Sequence, residues 1–325
     1  MVCGGSALSS PGKKKLAGET LWLALMPLQP AADNAVAASS ANNAKFQFNF
    51  TVASINYPGI MATFNSQARS TMKCGLAAAF FSIAAGIVFA DARQNQIFAA
   101  RAETEFHRAQ IRFQSDTNNS TNVWQFARAC YNFADFATND AERAAIADQG
   151  IAACRQSLAR ETDSAPVHYY LAMNLGQLAR TELFGALKLV KEMEREFKTA
   201  AGLDAQFDFA GPERNLGLLY RDAPGWPASI GSSRKAKNYL EQAVKLAPDY
   251  PENRLNLAES FLQWHESANA KQELDALDAL WPKAQKTFTG EKWEQSWDDW
   301  TTRRAAARKK LEEVPAPVKP PKSSQ

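Results

Sequence analysis

Three histidines occur in the chain, His107, His168 and His265, far apart and each alone on its segment. Metal chemistry needs several such ligands at short spacing. No His-x-x-x-His, Cys-x-x-Cys or Asp-rich loop supplies them. Nucleophilic catalysis finds no Gly-x-Ser-x-Gly elbow. Phosphate binding finds no glycine-rich loop, since Gly12-Lys13 lacks the earlier glycine. The pair Asp298-Asp299 falls on an expected helix surface, where water is the natural partner of both carboxylates. The sequence therefore assigns no catalytic, metal or cofactor-binding residues, and it predicts a binding protein, the less favoured alternative being an enzyme whose site is convergent in space and not visible in linear sequence.

The elements that would position a binding surface are legible in the second half of the chain. Leu216-Gly217 is followed by Tyr220, and then Ala236, Leu240, Ala243 and Pro248 recur at steps of four, three and five. Leu257-Ala258 leads likewise to Phe261, then Ala270, Leu274, Leu277 and Pro282. Small residues recur where two helices of a hairpin must approach closely, large apolar ones fill between them, and proline closes the unit. The spacing resembles the tetratricopeptide repeat family. That resemblance implies an all-α superhelical array of stacked helix hairpins with a concave groove. Two earlier units follow the pattern more loosely. One carries Trp124 and Tyr131 seven apart; the other opens at Ser164-Ala165-Pro166 with Leu171-Ala172 and Leu175, and has a long amphipathic second helix from Leu187 to Ala201. Gly211-Pro212 and Pro251 start the third and fourth units, because proline in a first helical turn costs no hydrogen bond. The third is interrupted: about seven extra residues around Trp226, with two prolines and two glycines, predict a loop between its paired helices.

Outside the repeats, residues 1–71 are rich in Ala, Ser and Asn without sustained period, and predict a disordered or mis-started leader. Met72-Lys73 then opens an apolar run, Gly75 to Ala90, closed by small residues, so 72–92 predicts a signal peptide of an exported, bacterial, periplasmic protein. Uncleaved, it would be a membrane anchor; cleaved, it would leave no stable membrane span. Residues 93–118 predict a leading helix, a half-repeat with Ala102, Phe106 and Ala109 on one face. The repeats follow over 119–285. A capping helix over 286–313 carries Trp293, Trp297 and Trp300 at steps of four and three, a stripe expected to be core, and 314–325 form a disordered tail.

Of the four cysteines, Cys3 and Cys74 would be lost with the leader and signal, leaving Cys130 and Cys154 on the two helices of one hairpin. Two readings stand. In an oxidising compartment they could bridge, stabilising the unit by roughly 3 kcal/mol; otherwise they are two buried small apolar residues.

The net charge of +3 is set by the first 90 residues, where six cations face two anions, so the remaining body is near neutral and no nucleic-acid partner is expected. The family resemblance implies groove-facing positions at Gln125, Asn132 and Phe133 in the first unit and Tyr169, Met173 and Gln177 in the second. It implies Arg214, Leu218, Arg221 and Asp222 in the third, and Leu255, Glu259, Leu262 and Gln263 in the fourth. Trp226 would stand on the inserted loop at one rim. Mixed polar, aromatic and charged groups on a helical wall suit a protein or peptide partner. The run His168-Tyr169-Tyr170-Leu171-Ala172 and the later Leu-Gly-Leu-Leu-Tyr also look like the tetratricopeptide component of bacterial periplasmic tripartite transporters, which would imply a small hydrophobic ligand as the alternative. No cofactor is implied.

Overall fold

A computed structural model describes residues 74–182 and 185–313, with side chains from residue 93 onward. The expectations for 1–71 and 314–325 lie outside the described residues. Among the described residues ten α-helices succeed one another: α1 Cys74–Ser115, α2 Ser120–Ala134, α3 Asp140–Leu158, α4 Ala165–Ala179, α5 Ala186–Leu203, α6 Phe207–Asp222, α7 Ser233–Leu246, α8 Pro251–Gln263, α9 Ser267–Thr287 and α10 Glu294–Glu312. A 3₁₀ turn, Glu291–Trp293, leads into the last. Among the described residues there is no strand, and no helix is long and apolar enough to cross a membrane.

The helices pair in sequence, α2 with α3, α4 with α5, α6 with α7 and α8 with α9, and each hairpin packs on the next. This is the all-α, tetratricopeptide-like array that the resemblance implies. Ends are set locally. Asn119, Asn139 and Ser232 cap α2, α3 and α7 by accepting from backbone N–H groups of the first turn, while proline opens α4 and α8. The small residues do what their spacing demands: a Cβ on Gly217 would stand 2.6 Å from Leu240 Cγ, so α6 and α7 touch nearly backbone to side chain there. Ala236, Leu240, Ala243, Ala270, Leu274 and Leu277 are all buried.

Three details differ from the sequence reading. The leading helix does not begin at 93: its backbone runs unbroken from Cys74 through Gly86, because the Ala-, Phe- and Ile-rich stretch holds no proline, and it stops at Ser115 before the turn formers Asp116 to Asn119. Pro282 does not close its unit. α9 runs through it to Thr287, since Trp281 just before it and Ala284 and Phe288 beyond it are buried and hold the last turns down. Finally, Asp208, Phe209 and Ala210 have φ of 51°, 56° and 62°, a left-handed turn ahead of the regular part of α6, so that helix proper starts near Gly211-Pro212 as expected. Left-handed backbone costs an L-residue about 1–2 kcal/mol. The cost is offset by polar contacts: Arg214 donates to the carbonyls of Asp208 and Phe209 and pairs with the Asp208 carboxylate at 3.2 Å, Asn253 donates to the Phe209 carbonyl at 3.0 Å, and the Tyr169 hydroxyl donates to Asp208 at 2.9 Å.

Cys130 and Cys154 are free and buried, which corrects the disulfide expectation in favour of its alternative. Burial pushes both thiols up, so neither is a thiolate ready to oxidise. The tryptophan stripe is core: Trp300 is buried, Trp293 and Trp297 are half-buried against it, and the Trp297 indole donates to the Phe288 carbonyl at 2.6 Å.

Candidate binding cavity

The last helix does more than cover an end. α10 packs on α8, the inner helix of the fourth hairpin, as well as on α9. Its Arg303 is buried and donates to both carboxylate oxygens of Glu259 (2.9 and 2.6 Å), to Asn256 (2.5 Å) and to Asp299 on its own helix (2.9 Å). From the other end of the chain, Arg101 on α1 pairs with Glu291 at 2.9 Å and Glu294 at 2.6 Å. First and last helices therefore meet, and the array closes on itself.

Closure leaves a cavity of about 200 Å³ between the first hairpin and the last elements. Its lining comprises Arg128, Tyr131 and Asn132 from α2 with Asp135 at its C-terminal cap, Glu252 from α8, and Lys292, Gln295, Ser296, Asp299 and Trp300 from the 3₁₀ turn and α10. The acidic members are already engaged. Asp135 accepts from Gln177 at 2.7 Å and Arg180 at 2.9 Å; burial lifts its carboxyl, and these two donors oppose the shift. Asp299 is held by Arg303, and Glu252 accepts the Tyr250 hydroxyl at 3.0 Å. Asp299 is thus an internal pairing residue, which corrects the expectation that it lies on a solvated face beside the exposed Asp298. The cations are not engaged: Arg128 and Lys292 make no ion pair among the described residues, Lys292 resting only near the Trp293 ring. Burial pushes the Tyr131 phenol well up, so it stays a donor.

Of the groove positions implied by the resemblance, few are open. Asn132 reaches the cavity, Gln263 is exposed, and Gln125, Phe133, Arg221, Asp222 and Glu259 are half-buried. Tyr169, Met173, Gln177, Arg214, Leu218, Leu255 and Leu262 are buried, because successive inner helices pack against one another and α10 lies over α8. Arg214 and Tyr169 hold the left-handed turn; Glu259 is taken by Arg303; Arg221 pairs with Asp222 at 2.7 Å and donates to Ser260. Trp226 is 89% exposed. Its loop is pinned at the base, Gly231 N–H donating to the Pro224 carbonyl at 2.8 Å and Ser232 N–H to that of Tyr220 at 2.8 Å. Sequence reasoning missed Arg128, Lys292, Gln295 and Ser296, since the cavity joins residues from opposite ends of the chain and no local spacing marks them. The lining of this cavity is polar.

Among the described residues no group of His, Cys, Asp or Glu could hold a metal ion. His168 is a structural pair: Nε2 lies 2.8 Å from the Thr162 carbonyl and Nδ1 2.6 Å from Glu196. A carbonyl and a carboxylate both accept, and Arg195 binds the other Glu196 oxygen, so the ring carries both protons.

The chain is similar over residues 92–206 to the family of regulator of microtubule dynamics proteins 1 to 3. No curated protein matches it. Among solved structures it is similar to that of MamA, at 13% identity and a TM-score of 0.39, over 55% of this chain and 87% of that one. It is also similar to a thermophilic TPR protein of Thermus thermophilus, TTC0263, at 19% identity and a TM-score of 0.45, over 66% of this chain and 96% of that one.

Proposed function

We propose that the chain is a non-enzymatic scaffold that binds a protein partner through its inner face, with the polar cavity as the centre of recognition. The observation that carries this reading is Arg128: a guanidinium turned onto a cavity, with no ion pair among the described residues, beside the equally unengaged Lys292. Both side chains are exposed, so the carboxylates of a partner can reach them, each such pair adding on the order of 1 kcal/mol. Capture of partners on the immobilised chain, compared with Arg128→Glu, tests it. The variant loses the partners that the parent retains; an identical set of partners on both overturns the reading.

The match over 92–206 supports a second reading, in which the partner belongs to the microtubule system. Co-pelleting with polymerised tubulin, and a changed rate of polymer growth, is the outcome expected of it; a chain left wholly in the supernatant removes it. Export rests on 72–92, and an N-terminal sequence of the isolated protein beginning near Asp91 or Arg93 is what it requires.

A further inference from the structure

We propose that Trp264 and Trp226 form a surface for a polyproline segment, and that its occupant is the chain's own residues 314–325, which lie outside the described residues, laid across one end of the array. The inserted loop is pinned at its base, yet Gly225, Trp226, Pro227 and Ala228 at its tip are all exposed. A large apolar ring already fixed in place gives up little freedom when something docks on it. The stretch 314–325 carries four prolines in twelve residues, Pro315, Pro317, Pro320 and Pro321. Such a composition builds no core of its own and favours the extended polyproline helix, which aromatic surfaces bind readily because it is stiff before it binds.

The two partners meet at the same end. α10 runs alongside α8: Arg303 reaches Asn256 and Glu259, Arg304 reaches Asp278, and Arg308 reaches Asp275 nearer the start of α9, so Glu313 comes to rest where α8 turns into α9. α6 ends at that level too, since Arg221 donates to Ser260 at 3.2 Å and Lys237 in α7 pairs with Glu266 at 3.2 Å. α8 packs on both α10 and α6 and stands between them. Packed helices lie about 8–10 Å apart, so the way from Glu313 over the end of α8 to the inserted loop is about 20 Å. Halfway along it is Trp264, the C-terminal cap of α8, half-buried with its ring edge-on to Phe261. At the rise of a polyproline helix, about 3.1 Å per residue, Pro315 and Pro317 fall about 6 and about 12 Å past Glu313, at Trp264. Pro320 and Pro321 fall about 22 and about 25 Å out, at Trp226. The strap is no part of the core and comes away before the array melts, so Tm is blind to it and the rings themselves must be read.

Indole N–H resonances of the full chain test this, compared with those of a full-length variant carrying Pro315→Ser, Pro317→Ser, Pro320→Ser and Pro321→Ser. The two signals are identified by their loss in Trp226→Ala and in Trp264→Phe. Both are expected to shift in the serine variant while the other tryptophans keep their positions, and a synthetic peptide of residues 314–325, added at millimolar concentration, is expected to return them to the parent positions. The substitutions lie beyond the packed helices, so the comparison is made on a folded chain. Identical positions for Trp226 in parent and variant overturn the proposal and leave the ring to an outside partner. So does movement of one ring without the other, or a peptide that restores neither. Parent signals that move toward those of the variant on tenfold dilution overturn it as well, assigning the surface to the same residues of a second copy. None of these results bears on the inner cavity.

Discussion

At the scale of single residues, the polar groups sealed inside the array are more telling than the apolar ones. His168 carries two protons because of its acceptors. Burial disfavours the charged ring, but the bonds to Glu196 and to the Thr162 carbonyl win, and its pKa rises above 6.5. Burial likewise works against the Glu196 carboxylate, yet its bonds from His168 and Arg195 hold it below 4.5. A raised histidine stabilises fully below its unfolded value and loses that contribution as pH climbs through the folded value. A depressed carboxylate stabilises above its unfolded value and loses it as pH falls through the folded one. The pair therefore contributes most between about pH 4.5 and 6.5. In thermal melts, His168→Gln should lower Tm most in that window and least above neutrality; an equal loss at every pH would contradict the assignment. Arg214 is the other case. Removing it takes the cation from Asp208 and the guanidinium bonds from the Asp208 and Phe209 carbonyls, leaving only Asn253 and Tyr169 on the left-handed turn, so Arg214→Ala should cost about 3–5 kcal/mol in urea unfolding, whereas Phe209→Ala, on a side chain partly open to water, should cost less.

At the scale of elements, helix contacts divide into those that the spacing dictates and those that it does not. Gly217→Ala should destabilise by about 1–3 kcal/mol, because a Cβ has no space against Leu240 without parting α6 from α7. The inserted loop behaves oppositely: Trp226→Ala should leave Tm unchanged, a shift within about 0.5 kcal/mol, because the indole touches water rather than core. A fall in Tm would mean that the loop packs inward after all. Hairpins were legible in sequence because Leu-Gly, Tyr, Ala and Leu at fixed steps report a local requirement, the closeness of two paired helices. The run through Pro282 was not. Whether a helix survives a proline depends on what holds it on either side, and Trp281 before it with Ala284 and Phe288 after it do so through tertiary packing that no periodicity encodes. The buried groove positions were misread for a related reason. The repeat pattern says which face turns inward and is silent on what else comes to lie there, as Arg303 does on Glu259.

At the scale of the molecule, the array is held shut by few and polar contacts. Arg101 with Glu291 and Glu294 is partly exposed and worth little in salt, whereas Arg303 is buried and decisive. Arg303→Ala strands the Glu259 carboxylate, and α10 should then exchange its amides near the unprotected rate while α4 and α6 stay protected; uniform protection would show that the tryptophans alone suffice. Such local opening is the expected behaviour of an end element fastened by a handful of groups. The meeting of Arg101 with Glu291 and Glu294 has a further consequence for how such a chain can change over generations. A stack of like modules ordinarily grows or shrinks by duplicating or deleting one, since each touches only its neighbours. Here a fifth hairpin would carry the two glutamates past the arginine they grip, and the loss of one would leave them short, so a change in module number breaks that contact between first and last elements.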